Sequence, residues 1–369
     1  SNAGGVNPIE CAKMIKKKLS KSCDLKIGVV YGDDIIKDIE DLIRNGHNFK
    51  NLETGQDINS IKENITSANV YIDSFSIKDA LEKGADIVLA GRVSDPGLTL
   101  GPLIYEFGWT KFDYDKLASG TLAGHIIECG AQCTGGNYSK WYELNSLSNI
   151  GYPIAEVKSN GEFLITKPEN TDGIVNRISV TEQILYEMGD PKNYISPDVC
   201  VDFTSFNLKE LSENKILIEN VKGFRPTKTY KVSISYFSGY KCSAQLTISG
   251  PNAHEKASFV AKTIWERLSN SGYSFDKTNT EFLGFNSCHK NINLKYDGSN
   301  EIVLRLSVKD DVKANVERFS KEISPMITSG PPGVTGFAGG RPKVQEVISF
   351  WPALLDKNVI QTTVDVIWK

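Results

Sequence analysis

The apolar run at residues 25–31, stopped by Gly32-Asp33-Asp34, narrows most sharply what this chain can fold into. A short continuous apolar run bounded by turn residues reads as a strand buried on both faces, and such strands belong to parallel sheets covered by helices. The neighbouring segments keep up that alternation. Residues 8–22 have helical spacing, with Pro8 suited to the first helical position. Asp33 or Asp34 offers a cap for a following helix that ends near Arg44. A strand around residues 70–72, a helix over 77–83 and a strand over 86–90 repeat the unit, while the polar stretch 47–69 reads as a loop. The pattern predicts an α/β fold with a parallel sheet covered on both faces. Ligands of such sheets sit beyond the carboxyl ends of the strands. That rule directs attention to residues 32–34 and 91–95.

At 369 residues the chain is too long for one ordinary core, so two domains are expected. The texture changes near Gly151. Short strand candidates follow at 154–158, 163–166, 215–219, 228–236 and 241–249, with helices over 175–188 and 253–269. Beyond them come a strand at 302–308, a helix at 312–323, a Gly/Pro-rich loop at 329–342, and last strands near 344–350 and 359–368. The reading is an α/β domain over 1–150 and an α+β domain over 151–369.

The net charge of −3 and the absence of a basic block interleaved with aromatics favour neither nucleic acid nor an anionic membrane as partner. No apolar run approaches the roughly 20 residues that cross a bilayer, and the first residues lack the form of a secretory signal. Seven cysteines, among them Cys11, Cys23, Cys200, Cys242 and Cys288, are scattered without CxxC pairs. That spacing speaks against a disulfide framework or a structural zinc site, and a reduced, cytoplasmic protein is expected.

Three stretches can carry chemistry. In Gly91-Arg92-Val93-Ser94-Asp95-Pro96, Arg92 can grip a carboxylate or phosphate in bidentate fashion, or serve an intramolecular salt bridge. Asp95 can act as base or anchor a hydroxyl, but Asp followed by Pro also has the form of a helix cap. In the segment 124–137, His125, Glu128 and Gln132 share one face if the segment is helical, with Asn137 close behind. A carboxylate beside a histidine orients the imidazole for general acid/base work. The same spacing can serve a metal, or the three groups can simply be satisfied inside a buried helix. Cys129 and Cys133, four residues apart, read as small buried apolar residues, with a nucleophilic Cys129 as the alternative. The third stretch is the loop holding Gly333, Gly336, Gly339, Gly340 and Arg341. It is neither a P-loop nor a dinucleotide fingerprint. Its glycines allow close backbone approach, which fits a lid, an anchor for a CoA-like phosphate near Arg341, a subunit contact, or an ordinary surface loop. Asn7, Asp33 and Asp34 form a weaker group that capping explains.

Several of these motifs resemble one family. They are Asn2-Ala3-Gly4-Gly5-Val6-Asn7-Pro8, the run from Gly84 through Gly91-Arg92-Val93-Ser94-Asp95, and Ala123-Gly124-His125 through Gly136-Asn137. Leu185-Tyr186-Glu187, Asp190-Pro191, Pro197-Asp198-Val199 and the loop at 330–343 with Trp351-Pro352 behind it complete the set. Together they resemble the acyclic terpene utilisation (AtuA-like) family along nearly the whole chain. The resemblance implies a setting in the breakdown of acyclic terpenoids and branched acids as CoA thioesters, beside acyl-CoA carboxylase components, without implying catalytic residues. It also implies that relatives carry a further N-terminal segment with an early strand. Ser1-Asn2-Ala3 then reads either as native sequence within a family motif or as the scar of a cleaved tag.

The expectation is an enzyme of acyl-CoA or branched hydroxy-acid catabolism with hydratase- or lyase-type acid–base chemistry. His125 and Glu128 would move protons, Arg92 would hold an anionic group, and Asp95, Gln132 and Asn137 would position substrate. The glycine-rich loop would close over the phosphate end of a CoA thioester, which is substrate rather than cofactor. No metal is expected, and the protein is expected to be a homo-oligomer. The alternative is a non-catalytic assembly or ligand-binding partner of an acyl-CoA carboxylase.

Overall fold

The computed structural model describes residues 1–2, 7–19, 24–289, 298, 300–336 and 339–367. Ala3-Gly4-Gly5-Val6 of the first motif, residues 20–22 of the predicted first helix, Cys23, Phe337-Ala338 and Trp368 lie outside the described residues. The chain forms two compact units. Unit 1 comprises Ser1–Ser60, Ser67–Ile234 and Trp351–Lys369, and unit 2 comprises Ile61–Thr66 and Ser235–Phe350.

In unit 1 the strand Ile27–Tyr31 is the centre of a three-stranded sheet. It runs parallel to Ile87–Ala90, with Ile27 opposite Ile87 and Val30 opposite Ala90. On its other side Thr363–Ile367 runs antiparallel, Tyr31 facing Thr363. The sheet is therefore mixed, and the fold is α/β. Ile27, Val29 and Leu89 are buried against Ala12 of the helix Pro8–Lys18, whose first turn is held by the Asn7 side chain accepting from the Glu10 N–H at 3.0 Å.

Two local expectations need correction. The strand predicted at 70–72 lies earlier, at Ile65–Val70, and pairs with the long strand Thr229–Ser249; Ile72 makes only a single parallel bridge, to Val93. The alternate burial of Ala68 and Val70 sits inside a polar stretch and so hides a strand in what reads as a loop. The helix predicted directly after Asp34 begins only at Ile39, because Asp34 closes a turn by accepting from the Ile36 N–H at 3.0 Å.

The larger core of unit 1 joins segments on both sides of residue 150. Leu100 and Ile104 of the helix Gly97–Phe107, with Leu117, Leu122 and Ile126 of the helix Tyr114–Ile127, pack against Phe163, Ile165, Ile216 and Ile218. Those four belong to an antiparallel sheet ordered Ile154–Val157, Phe163–Thr166, Lys215–Glu219, Asn207–Ser212. The change of texture at Gly151 thus marks a change of local pattern inside one core: the apolar face of these strands is covered by the two preceding helices.

In unit 2 the strands Lys277–Leu283, Glu301–Asp310, the distal part of Thr229–Ser249 and Val334–Thr335 lie side by side. Helices Ala253–Asn270 and Lys313–Glu322 cover one face through Val260, Ile264, Val316 and Phe319. The two strands predicted at 228–236 and 241–249 are one. Gly239, which suggests a turn, takes φ +97° within it, and a Cβ there would stand 2.6 Å from Asp311 Oδ1. Among the described residues no helix is long and apolar enough to cross a membrane.

Candidate active site

The carboxyl ends of the two parallel strands are tied together by Asp33. Its side chain is buried at 2% exposure, and Oδ2 accepts from the Arg92 N–H at 2.7 Å and from the Asn69 amide at 3.0 Å. A Cβ at position 91 would stand 1.9 Å from Asp33 Oδ1, so only glycine lets the carboxylate reach the turn. The sequence suggests a capping role for Asp33; instead its carboxylate shapes the strand-end loop.

That loop fixes Arg92 and Asp95. The Arg92 guanidinium lies 4.2 Å from the Tyr71 ring centroid and donates through Nη2 to Asp95 Oδ1 at 2.5 Å, while its Nε is buried with no hydrogen-bond partner among the described residues. The cap of the helix Gly97–Phe107 is Pro96, without a side-chain cap bond, so Asp95 serves the ion pair and not the helix.

Beside this pair opens a cleft of about 540 Å³ within unit 1, lined among others by Tyr71, Asp95, Glu187, Tyr194, Tyr230 and Lys231. Behind the Tyr230 wall a half-buried aspartate, Asp73, stands near a buried one, Asp198. The Tyr230 hydroxyl donates to Asp73 Oδ2 at 2.6 Å. Asp198 accepts from the Ser74 N–H at 2.9 Å and from the Ser74 hydroxyl at 2.8 Å. Burial, and then the Asp73 charge, push the Asp198 carboxyl far above the ordinary carboxylate range. Burial and the same aspartate also raise the Tyr230 phenol, so that it stays protonated. Lys357 donates to the Pro197 carbonyl at 2.6 Å and lies 4.9 Å from the Tyr230 ring centroid; burial lowers its ammonium. The sequence reading missed Asp73, Tyr230 and Lys357. Asp198 was visible only as part of the Pro197-Asp198-Val199 motif.

The second predicted stretch is differently placed. His125 and Glu128 do meet, Nδ1 to Oε1 at 3.3 Å, but without hydrogen-bond alignment, and His125 is only 2% exposed. Its Nε2 lies 3.3 Å from the Ile184 carbonyl, and its ring packs 5.8 Å from Tyr194 and 5.6 Å from Phe203. Neither His125 nor Glu128 lines the cleft. The helix ends at Ile127, so the stripe breaks: Gln132 falls in the separate turn Gly130–Gln132 and Asn137 is exposed. Burial raises the thiols of Cys129 and Cys133, the latter to about 12, which leaves neither as a ready nucleophile. Among the described residues no group of three or more His, Cys, Asp or Glu is placed to hold a metal ion.

The sequence matches the family model described as acyclic terpene utilisation family protein AtuA over residues 1–366. The chain belongs to the AtuA family. That membership gives it a place in acyclic terpene utilisation. No curated protein matches this AtuA-family chain. A solved structure titled "De novo designed protein Ferredog-Diesel" is similar to part of it, at 15% identity and a TM-score of 0.18, covering 30% of this chain and 88% of the other.

The third stretch of this AtuA-family member lies in unit 2. Gly333, at φ +97°, is explained by packing: its carbonyl accepts from the Ser249 N–H at 2.9 Å, and a Cβ would stand 2.2 Å from the Ser249 oxygen. Gly336, Gly339, Gly340 and Arg341 line a cavity of about 440 Å³ in that unit.

Proposed function

We propose that this AtuA-family chain is an acid–base catalyst of the hydratase or lyase type, acting on a branched acyl-CoA or hydroxy acid during terpenoid catabolism. The observation that carries this reading is the Tyr230–Asp73 hydrogen bond at the cleft wall, backed by the buried carboxyl of Asp198. Burying a carboxyl beside a second acidic group costs stability, and such clusters beside clefts concentrate where protons are handled. A phenol held protonated suits a donor to a developing oxyanion rather than a base. A substrate carbonyl oxygen entering the cleft competes with Asp73 for that proton. Asp95, on the same cleft with a half-exposed side chain, takes the proton α to the carbonyl. The Cβ–O bond then breaks as the Cα–Cβ double bond forms, and Asp95 returns that proton to the departing hydroxide, which leaves as water. Arg92 holds the Asp95 carboxylate in place through the ion pair. On this reading His125 and Glu128 support the helix end behind the cleft, since the imidazole is sealed between Tyr194 and Phe203.

The test is turnover of a panel of branched enoyl- and hydroxyacyl-CoA thioesters. Tyr230→Phe is expected to lower kcat by about 10²-fold, the usual cost of removing one oxyanion donor, with KM little changed. Full activity in both Tyr230→Phe and Asp95→Asn would sink the assignment. The runner-up is a non-catalytic partner of an acyl-CoA carboxylase. It draws on Trp141 and Tyr142, 69% and 66% exposed with ring centroids 6.1 Å apart, because exposed Trp and Tyr are enriched at binding surfaces. Co-purification with carboxylase subunits, lost in Trp141→Ala, together with an inactive panel, favours that reading.

A further inference from the structure

The unit 2 cavity carries a feature that the acid–base reading of unit 1 does not use. Arg341 and Lys343 both line it, both are exposed, and neither forms an ion pair among the described residues. Among the described residues no carboxylate lines the cavity. Two cations unpaired among the described residues thus face one cavity, whereas Arg92, Arg267, Arg305 and Arg318 are each engaged by a carboxylate. The wall beside the two cations is built from Gly336, Gly339 and Gly340, which present backbone without side chains to an incoming ligand. The lining also includes an apolar part, Leu246, Ile323 and Ile327, beside the neutral polar Ser243, Gln245 and Ser324. A volume of about 440 Å³ exceeds what a bare phosphate fills and matches a small organic ligand.

From these observations we infer that the unit 2 cavity binds an organic phosphate of the nucleotide class. Arg341 and Lys343 take the phosphate oxygens, and the apolar surface takes the flat, weakly polar remainder of the ligand. Arginine's planar fork matches two phosphate oxygens at once, and the ammonium adds a mobile second charge. The glycine backbone lets the phosphate approach N–H groups that a side chain would screen. A bisphosphate nucleotide, free or as the nucleotide end of a CoA thioester, has this chemistry. Inorganic phosphate shares only the charge.

Isothermal titration of the full chain with adenosine 3′,5′-bisphosphate, CoA, inorganic pyrophosphate and inorganic phosphate tests this at 50 mM and 150 mM salt. One bisphosphate is expected to bind per chain, more weakly at the higher salt. Arg341→Gln and Lys343→Gln are each expected to weaken binding about tenfold or more, as for loss of a charge-assisted hydrogen bond. Lys262→Gln, a paired surface cation on the helix Ala253–Asn270, leaves binding unchanged. CoA binding as tightly as the bisphosphate marks a CoA thioester as the source; bisphosphate alone marks a free nucleotide. Absence of saturable binding overturns the inference, as does binding indifferent to both substitutions. Pyrophosphate or phosphate binding as tightly as the nucleotide overturns the ligand class. Both substituted residues are solvent-exposed, and an unchanged thermal midpoint in each variant ties a lost titration to the site. Because the readout is binding, it stands or falls separately from turnover in unit 1.

Discussion

A methyl group at position 91 has nowhere to go. The strand-end turn is shaped by the buried Asp33 carboxylate, and an alanine Cβ would overlap Asp33 Oδ1 at 1.9 Å. The carboxylate must then swing away, and the Arg92 N–H loses its acceptor. Overpacking together with an orphaned buried donor costs about 3 kcal/mol. Denaturant unfolding of Gly91→Ala is expected to show that loss. In an Asp33→Ala background the same substitution is expected to cost much less, and equal costs in the two backgrounds would refute the coupling. Asp33 also shows what a sequence hides at this scale. An Asp after a strand reads as a cap because capping is local; whether it turns inward depends on Arg92 and Asn69, 59 and 36 residues away. The same limit conceals the acidic cluster, since Tyr230 meets Asp73 across 157 residues. Arg92 with Asp95, by contrast, were legible because their interaction spans three residues at a strand end. The proximity of His125 to Glu128 was legible for the same reason. Their sealing by Tyr194 and Phe203 was not.

Among the elements, those written by a continuous periodic pattern were readable. Phe163–Thr166 and Lys215–Glu219 occupy the predicted spans, and the helices Ala253–Asn270 and Lys313–Glu322 depart from theirs by about one residue. The strand Asn207–Ser212 was missed because five of its six residues are exposed; only its pairing with Lys215–Glu219 defines it. The helix Arg177–Leu185, predicted over 175–188, starts later because of its capping box and stops where Tyr186 turns to extended backbone. Asn176 Oδ1 accepts from the Ile178 and Ser179 N–H groups at 2.9 Å each, and the Ser179 hydroxyl accepts from the Asn176 N–H at 3.1 Å. The Asn176 amide also donates to the Tyr138 hydroxyl at 3.1 Å. This helix holds the candidate site from behind, through the Gln183 amide on the His125 carbonyl and the Ile184 carbonyl facing the imidazole. Asn176→Ala is expected to lower stability by about 1 kcal/mol, with Asn176→Asp recovering most of it. Thermal melting of the three chains measures both effects, and an Asp variant no better than Ala would mean that the Tyr138 contact dominates over the cap.

The whole molecule answers to pH through the Asp198 cluster. In the unfolded chain Asp198 titrates near 3.8, whereas in unit 1 burial and the Asp73 charge push it up to about 7. A folded-state pKa above the unfolded one means that the native form holds the proton more tightly. Its contribution to stability is complete below about pH 4 and is lost as the pH rises through 7. The groups facing Asp198 are Ser74, which donates twice, Asp73, which repels, and Lys357, whose charge partly offsets that repulsion. Asp198→Asn replaces the protonated carboxyl by a neutral group of similar shape, so it removes the titration while keeping an acceptor for the Ser74 N–H. Unfolding free energies of the two proteins, measured between pH 5 and pH 8, are expected to diverge. The parent loses stability relative to the variant as pH rises, and the difference levels off above pH 7. A difference independent of pH would show that Asp198 keeps its charge throughout, and the cluster would then be a fixed electrostatic brace. If the divergence is found, the cleft wall carries a proton that leaves near neutrality, one hydrogen-bonded step from Tyr230 through the Asp73 carboxylate it faces. A kcat profile of the active chain should then bend in the same pH window, and Asp198→Asn should flatten that bend without abolishing turnover.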